Sequence, residues 1–142
     1  MYNIKYKIYV NPQPVGLPLN HIETLEGTFK FWEAQELKTN NQNAKVVFEI
    51  TKSKADANVW ITWVVRDIGE GVLGHAHLGK GIVEVALGSY GCDGSFQLFD
   101  VESVKTIMTH EIGHSIGLPH TSDRTNIMYP SYTPSYAYCL LE

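Results

Sequence analysis

The sequence predicts an α+β fold, on three observations. Residues 2–10 alternate Ile4, Tyr6, Ile8 and Val10 with polar partners that include Lys5 and Lys7, the period-two signature of a strand. Ile22, Leu25, Phe29 and Trp32 recur instead at helical spacing, and so do Val104, Met108, Ile112 and Ile116. Between these two helical stretches lie β-branched and aromatic runs bounded by glycines and polar turns.

Each element follows from local chemistry. After the first strand, Pro12, Pro14, Gly16 and Pro18 exclude both helix and central strand, leaving a loop. Asn20 then opens a helix, with Glu23 three residues on as a variant of the capping box, and the pattern runs to about Lys38. His21 reads as a solvated first-turn residue. The polar run 39–43 stops the helix, and strands are expected at 45–50 and 58–65, around the turn 51–56. Trp60 and Trp63, three apart in a strand, point to opposite faces and read as sheet packing. Glycines 69, 71, 74, 79 and 81 bracket two more extended pieces, 73–78 and 81–87. Asp100 can cap a helix from Val101 to about Ile116. Pro119, Pro130 and Pro134 forbid long regular structure until Thr133 and Pro134 start a short last helix ending at Glu142.

A length of 142 residues predicts one domain spanning the whole chain. With 44% hydrophobic and 18% charged residues, disorder, collagen and coiled coil lose compositional support. The formal charge of -4 argues against neutralising phosphates, so no nucleic-acid partner is expected. No stretch approaches the ~18 apolar residues of a membrane helix, so a soluble chain without a membrane span is expected. The N-terminus lacks the apolar run of a signal peptide, which leaves localisation open: cytoplasmic if Met1 is the native start, secreted if a leader was trimmed. Cys92 and Cys139 are too few for a disulfide scaffold. Paired, they would close a long loop and stabilise the fold by ~4 kcal/mol; free and buried thiols are the alternative.

The chemistry is concentrated in one segment. From His110 the chain reads His-Glu-Ile-Gly-His-Ser-Ile-Gly-Leu-Pro-His, which is H-E-x-x-H-x-x-G-x-x-H. His110 and His114, four apart on a helix, stack their imidazoles on one face and can bind one zinc ion. Glu111, one residue round, is held beside the metal, where it can act as general base toward a metal-activated water. Gly117 falls where the helix must end and a left-handed residue turns the chain, bringing His120 round as a third ligand. Three neutral imidazoles leave a fourth position open, as in a catalytic rather than a structural zinc site. A bare H-E-x-x-H does arise by chance on solvated helices. Gly117 and His120 multiply that chance by two further residue frequencies, glycine alone being ~7% of residues. Val104, Met108, Ile112 and Ile116 form the packing face roughly opposite, with Ile107 beside the histidines.

The eleven-residue motif, followed by Asn126-Ile127-Met128-Tyr129-Pro130, resembles the zinc site and Met-turn of the metzincin metallopeptidases, and within them most of all the matrixins. The step from His120 to Met128, Asp123 between them, and Gly71-Val72-Leu73-Gly74-His75-Ala76 upstream are also similar to the matrixin pattern. The resemblance implies a twisted, mostly parallel sheet with an antiparallel edge strand, two main helices and a short C-terminal helix. It implies His110, His114 and His120 as zinc ligands, Glu111 as general base and Met128 as the floor beneath one catalytic zinc. It further implies Pro130 and Tyr132 as a wall of the pocket after the scissile bond, near Ile107, and Leu73 and Gly74 as edge-strand groups that align an extended peptide. The implied function is a zinc-dependent endopeptidase acting on peptide or protein substrates; a monomer is expected, and an apolar residue is expected just after the cleaved bond.

Departures qualify that expectation. Matrixins carry a second, structural zinc on three histidines and an aspartate; only His75 matches one of these, and Glu84 stands where another histidine is expected. His75 and His77 lie on one face of a strand and offer a metal site, although two ordinary edge-strand histidines is the preferred reading. Asp93 and its glycines offer a calcium site, with a polar turn preferred. Neither a prodomain nor a cysteine switch is visible, so latency is expected to be controlled elsewhere or not at all. The competing functions are a catalytically silent zinc- or peptide-binding module of the same fold and an intracellular peptide-clearing hydrolase.

Overall fold

The computed structural model describes residues 2–13, 21–39, 42–64, 74–76, 81–90, 94 and 96–137. In chain order its elements are β1 (Tyr2–Val10), α1 (Ile22–Glu33), β2 (Leu37–Thr39), β3 (Gln42–Ile50), β4 (Val59–Val64), β5 (Gly74–Ala76), β6 (Gly81–Ala86), the short pair β7 (Gly88–Ser89) and β8 (Gln97–Leu98), and α2 (Val101–Ser115). Six strands form one sheet in the order β2-β3-β1-β4-β6-β5. Its four central strands are parallel, and both edge strands run antiparallel to their neighbours.

Register explains which face is buried. Ile8 stands opposite Val59, Ile61 opposite Val83 and Trp63 opposite Val85, so their side chains share one face. Ile8, Val46, Val59, Ile61, Val83 and Val85 are all buried there under the two helices. Each such residue contributes ~1.5–3 kcal/mol of burial. The outer face carries Lys5, paired to Glu49 at 3.0 Å, and the exposed Trp60 and Ile82. The opposed orientations of Trp60 and Trp63 follow from the strand period.

The first helix ends earlier than its apolar periodicity implies. It stops at Glu33, whose Oε2 accepts the Phe48 amide at 2.9 Å, and Leu37–Thr39 becomes a strand instead. Pairing Leu37 with Ala44 and Thr39 with Gln42 satisfies the edge of β3, a gain that outweighs local helix propensity. This β2 is a second antiparallel edge, beyond the single one expected. His21 also corrects the sequence reading. It occupies the N-cap position without a side-chain cap bond and is 2% exposed rather than solvated. Its ring stacks on Trp63 at 5.7 Å between centroids, its Nδ1 lies 3.1 Å from Thr24 Oγ1, and its amide donates to Gln13 Oε1 at 3.0 Å. Asn20, the expected cap, lies outside the described residues.

The second helix is anchored on several sides. Asp100 Oδ1 accepts the Ser103 amide at 2.8 Å, the expected N-cap. Val104, Met108 and Ile112 are wholly buried and Ile116 partly so, which bears out the packing face. From α1, Trp32 Nε1 donates to the Thr109 carbonyl at 2.8 Å, and the Thr28 and Thr109 hydroxyls meet at 3.1 Å. From the sheet, the Tyr6 hydroxyl donates to the Ser115 carbonyl at 2.7 Å.

The short last helix does not begin at Thr133. Residues 133–137 are not helical. Tyr136 forms an antiparallel bridge with Phe99, Asp100 donates to the Ser135 carbonyl at 2.9 Å and Ala137 to the Leu98 carbonyl at 2.9 Å. The backbone groups that would have closed a first helical turn are taken by β8 and the start of α2. Residues 138–142, the remainder of the expected helix, lie outside the described residues, as do Leu73, His77, Cys92, Asp93 and Cys139. His75 is described in its backbone, opposite Glu84 in the β5–β6 register.

Candidate metal centre and cleft

His110 and His114 project from adjacent turns of α2, with ring centroids 4.8 Å apart. Three residues beyond His114 the helix closes in a Schellman turn: Leu118 donates to the Gly113 carbonyl and Gly117 to the His114 carbonyl, each at 2.9 Å. Gly117 has φ +104°, the left-handed conformation that this turn requires. Reversal there brings the His120 ring to 5.2 Å from His110 and 4.6 Å from His114. One ligand atom from each imidazole lies within 4.8 Å of the others, a group that could hold a metal ion.

The imidazoles are prepared for that task. His110 Nδ1 is 2.8 Å from the Ile127 carbonyl oxygen, and His114 Nδ1 is 2.8 Å from that of Leu118. A carbonyl only accepts, so in each ring Nδ1–H is the donor and Nε2 keeps its lone pair. Burial pushes both imidazoles below the usual histidine range, favouring the neutral, ligating form. Neutral nitrogen donors converging on one point fit zinc.

Glu111 lies beside them and is 7% exposed; burial pushes its carboxyl up to about 7. Gly74 of β5 backs directly onto it. A Cβ at that position would lie 2.6 Å from Glu111 Cγ and 2.7 Å from Oε2, so the absent side chain lets the edge strand close over the carboxylate. Met128 is buried, and a Cβ on Gly113 would run into its sulfur and lie 2.7 Å from Trp32 Cζ2. The turn that holds Met128 is tied down by Asn126 Oδ1, which accepts the Met128 amide at 2.8 Å, and by Thr121, which donates to the Met128 carbonyl at 3.1 Å.

A cavity of about 750 Å³ opens over these groups. Of the residues singled out in the sequence, Gly74, Ile107, Glu111, the three histidines, Pro130 and Tyr132 line it. The Tyr132 hydroxyl donates to Ser103 Oγ at 3.3 Å, tying the wall of the cavity to the first turn of α2. Thr106 and Arg124 line it too and were not anticipated. Thr106 stands one turn before His110, a spacing that could have found it. Arg124 is the only Lys or Arg after Lys105, which is also visible in the sequence.

A mostly parallel sheet over a helix with two histidines and a glycine-turned third defines the metzincin class of α+β domain. The matrixin family model matches residues 2–140, and the chain belongs to that family, whose members use zinc. It is similar to Metalloendoproteinase 1 of Glycine max, 33% identical over 126 residues that cover 78% of this chain and 40% of that protein. Matrix metalloproteinase-26 of Homo sapiens is 38% identical over 68 residues, covering 44% of this chain and 24% of that protein. Matrix metalloproteinase-B of Caenorhabditis elegans is 25% identical over 144 residues, covering 80% and 28%. The chain thus spans less than half the length of these relatives. No described helix is long and apolar enough to cross a membrane.

Proposed function

We propose that residues 1–142 form one catalytic domain that hydrolyses internal peptide bonds with zinc held by His110, His114 and His120. The observation that carries this reading is the buried Glu111 carboxylate in one cavity with the three histidines. A non-catalytic zinc site would gain nothing from a desolvated carboxylate at that position, because burying it is costly.

Held by His110, His114 and His120, zinc would supply Lewis acidity to the scissile carbonyl and to the attacking water. The chain's own groups do the rest. The carbonyls of Ile127 and Leu118 hold the His110 and His114 rings by Nδ1, which leaves Nε2 as the atom that would ligate a metal. Glu111 takes the proton of the attacking water and passes it to the leaving nitrogen. Burial raises its proton affinity, and a zinc ion held by the histidines would lower it. Gly74 presents edge-strand backbone to an extended peptide, in the manner of β-augmentation. Ile107, Pro130 and Tyr132 wall a pocket for an apolar side chain after the cleaved bond. Met128 forms the floor.

The test is metal content by elemental mass spectrometry with peptidase activity on the same sample, with and without a chelator. One zinc per chain and chelator-sensitive cleavage are expected. Glu111→Ala should keep zinc and lose activity by roughly 10²–10⁴-fold. Undiminished cleavage by that variant would overturn the mechanism, and zinc without cleavage of any peptide would favour the silent module.

A further inference from the structure

The cleft carries one cation that the hydrolytic reading does not use. Among the described residues lining the cavity, Arg124 is the only Lys or Arg. It stands second in a turn over residues 123–126, closed by Asn126 donating to the Asp123 carbonyl at 3.1 Å. That turn is continuous with the Met128 anchor, so the backbone carrying the guanidinium is pinned at both ends.

The neighbouring Asp123 is turned toward Thr125 and makes no ion pair with Arg124. Asp123 Oδ1 accepts from the Thr125 amide at 2.9 Å and from the Thr125 hydroxyl at 2.7 Å. The ion pairs among the described residues are Lys5 with Glu49 and Lys105 with Glu102, and neither involves Arg124. In a chain of net charge -4, an exposed arginine that lines a cleft and is ion-paired to no carboxylate among the described residues runs against the overall balance. A planar guanidinium is best matched by a carboxylate, which it can bind through two parallel N–H···O bonds.

We propose that Arg124 makes the cleft selective for peptides that present a carboxylate close to the scissile bond. This rests on the endopeptidase reading and adds a specificity determinant to it. An Asp or Glu side chain and a free C-terminal carboxylate share the chemistry.

The experiment uses quenched-fluorescent peptides with Glu, Gln or Lys placed in turn at each of the positions flanking the cleaved bond. One set has blocked termini and a second has free C-termini. At one position the wild type should favour Glu over Gln by about three- to tenfold in kcat/KM, with Lys below Gln. The preference should shrink as salt is raised. Arg124→Gln should bring the ratio to about one, Arg124→Lys should keep part of it, and Arg124→Glu should favour Lys, with zinc content unchanged throughout. A gain confined to uncapped peptides would support the proposal and assign the carboxylate to the chain end. No Glu preference at any position with either set of peptides, or one that survives Arg124→Gln, overturns it. Affinities of uncleavable peptide hydroxamates bearing Glu or Gln, measured by calorimetry on the zinc-loaded protein, read the same ratio without turnover. A ratio that holds there while no peptide is cleaved would sink the endopeptidase reading and keep the role of Arg124.

Discussion

Gly74 and Glu111 are in direct contact, the backbone of an edge strand resting on the side chain of a helix, with no room for a Cβ between them. If Glu111 is the general base, any bulk at position 74 must displace its carboxylate. Gly74→Val is expected to lower kcat/KM by about tenfold or more, the equivalent of an overpacking strain of 1–3 kcal/mol applied to the reacting group. Zinc content should hold. Full activity in a variant that binds zinc would show that Glu111 has space to yield.

Two glycines in and just after α2 are glycine for different reasons. By helix propensity alone, Gly113→Ala would stabilise by ~1 kcal/mol. The added methyl would meet Met128 and Trp32, so destabilisation of about 1–3 kcal/mol is expected instead. At Gly117 nothing lies within 4 Å, and only its φ of +104° opposes a side chain. Gly117→Ala should cost about 1 kcal/mol and Gly117→Asn less, since Asn tolerates left-handed backbone. Urea unfolding of the three variants checks the order, and a stabilised Gly113→Ala would refute the contact argument.

Trp32 fastens α1 to the turn of α2 just before His110. Trp32→Phe keeps most of the packing but removes the donor to the Thr109 carbonyl. A loss of about 1–2 kcal/mol is expected, seen as a lower denaturant midpoint at unchanged slope. A loss indistinguishable from zero would mean that the buried carbonyl is satisfied without the indole.

Burial holds the His21 imidazole below the usual histidine range. The unfolded chain takes up a proton near pH 6.5, whereas the folded chain does so only at lower pH. Stability from neutral His21 is therefore complete above that value and is lost as pH falls through the lower, folded one. Between about pH 7 and pH 5 the melting temperature of the wild type should drop further than that of His21→Gln. Parallel curves for the two proteins, recorded by calorimetry, would exclude His21 as a contributor.

Much of this architecture was legible along the chain. Alternation located β1, Asp100 marked the start of α2, and the four-residue spacing of Val104, Met108 and Ile112 picked out its buried face. The misreadings share a cause. Leu37 continues a helical apolar pattern but pairs with Ala44, seven residues on, because an unpaired β3 edge is costlier than an ended helix. The sequence near Thr133 has a good helix start, yet Tyr136 pairs with Phe99, thirty-seven positions away. His21 looked polar and terminal, and its burial depends on Trp63 from another element.

The sequence by itself determined the histidine cluster that could hold a metal ion. The spacing of His110, Glu111, His114, Gly117 and His120 encodes a helix face and the turn that ends it, and both are local, set by helix period and backbone sterics. Only the tertiary structure decided what surrounds those groups. The Ile127 carbonyl that orients His110, the Gly74 backbone that covers Glu111 and the Arg124 that lines the cavity come from separate segments. Their meeting depends on sheet order and loop closure, and no local period records such long-range contacts.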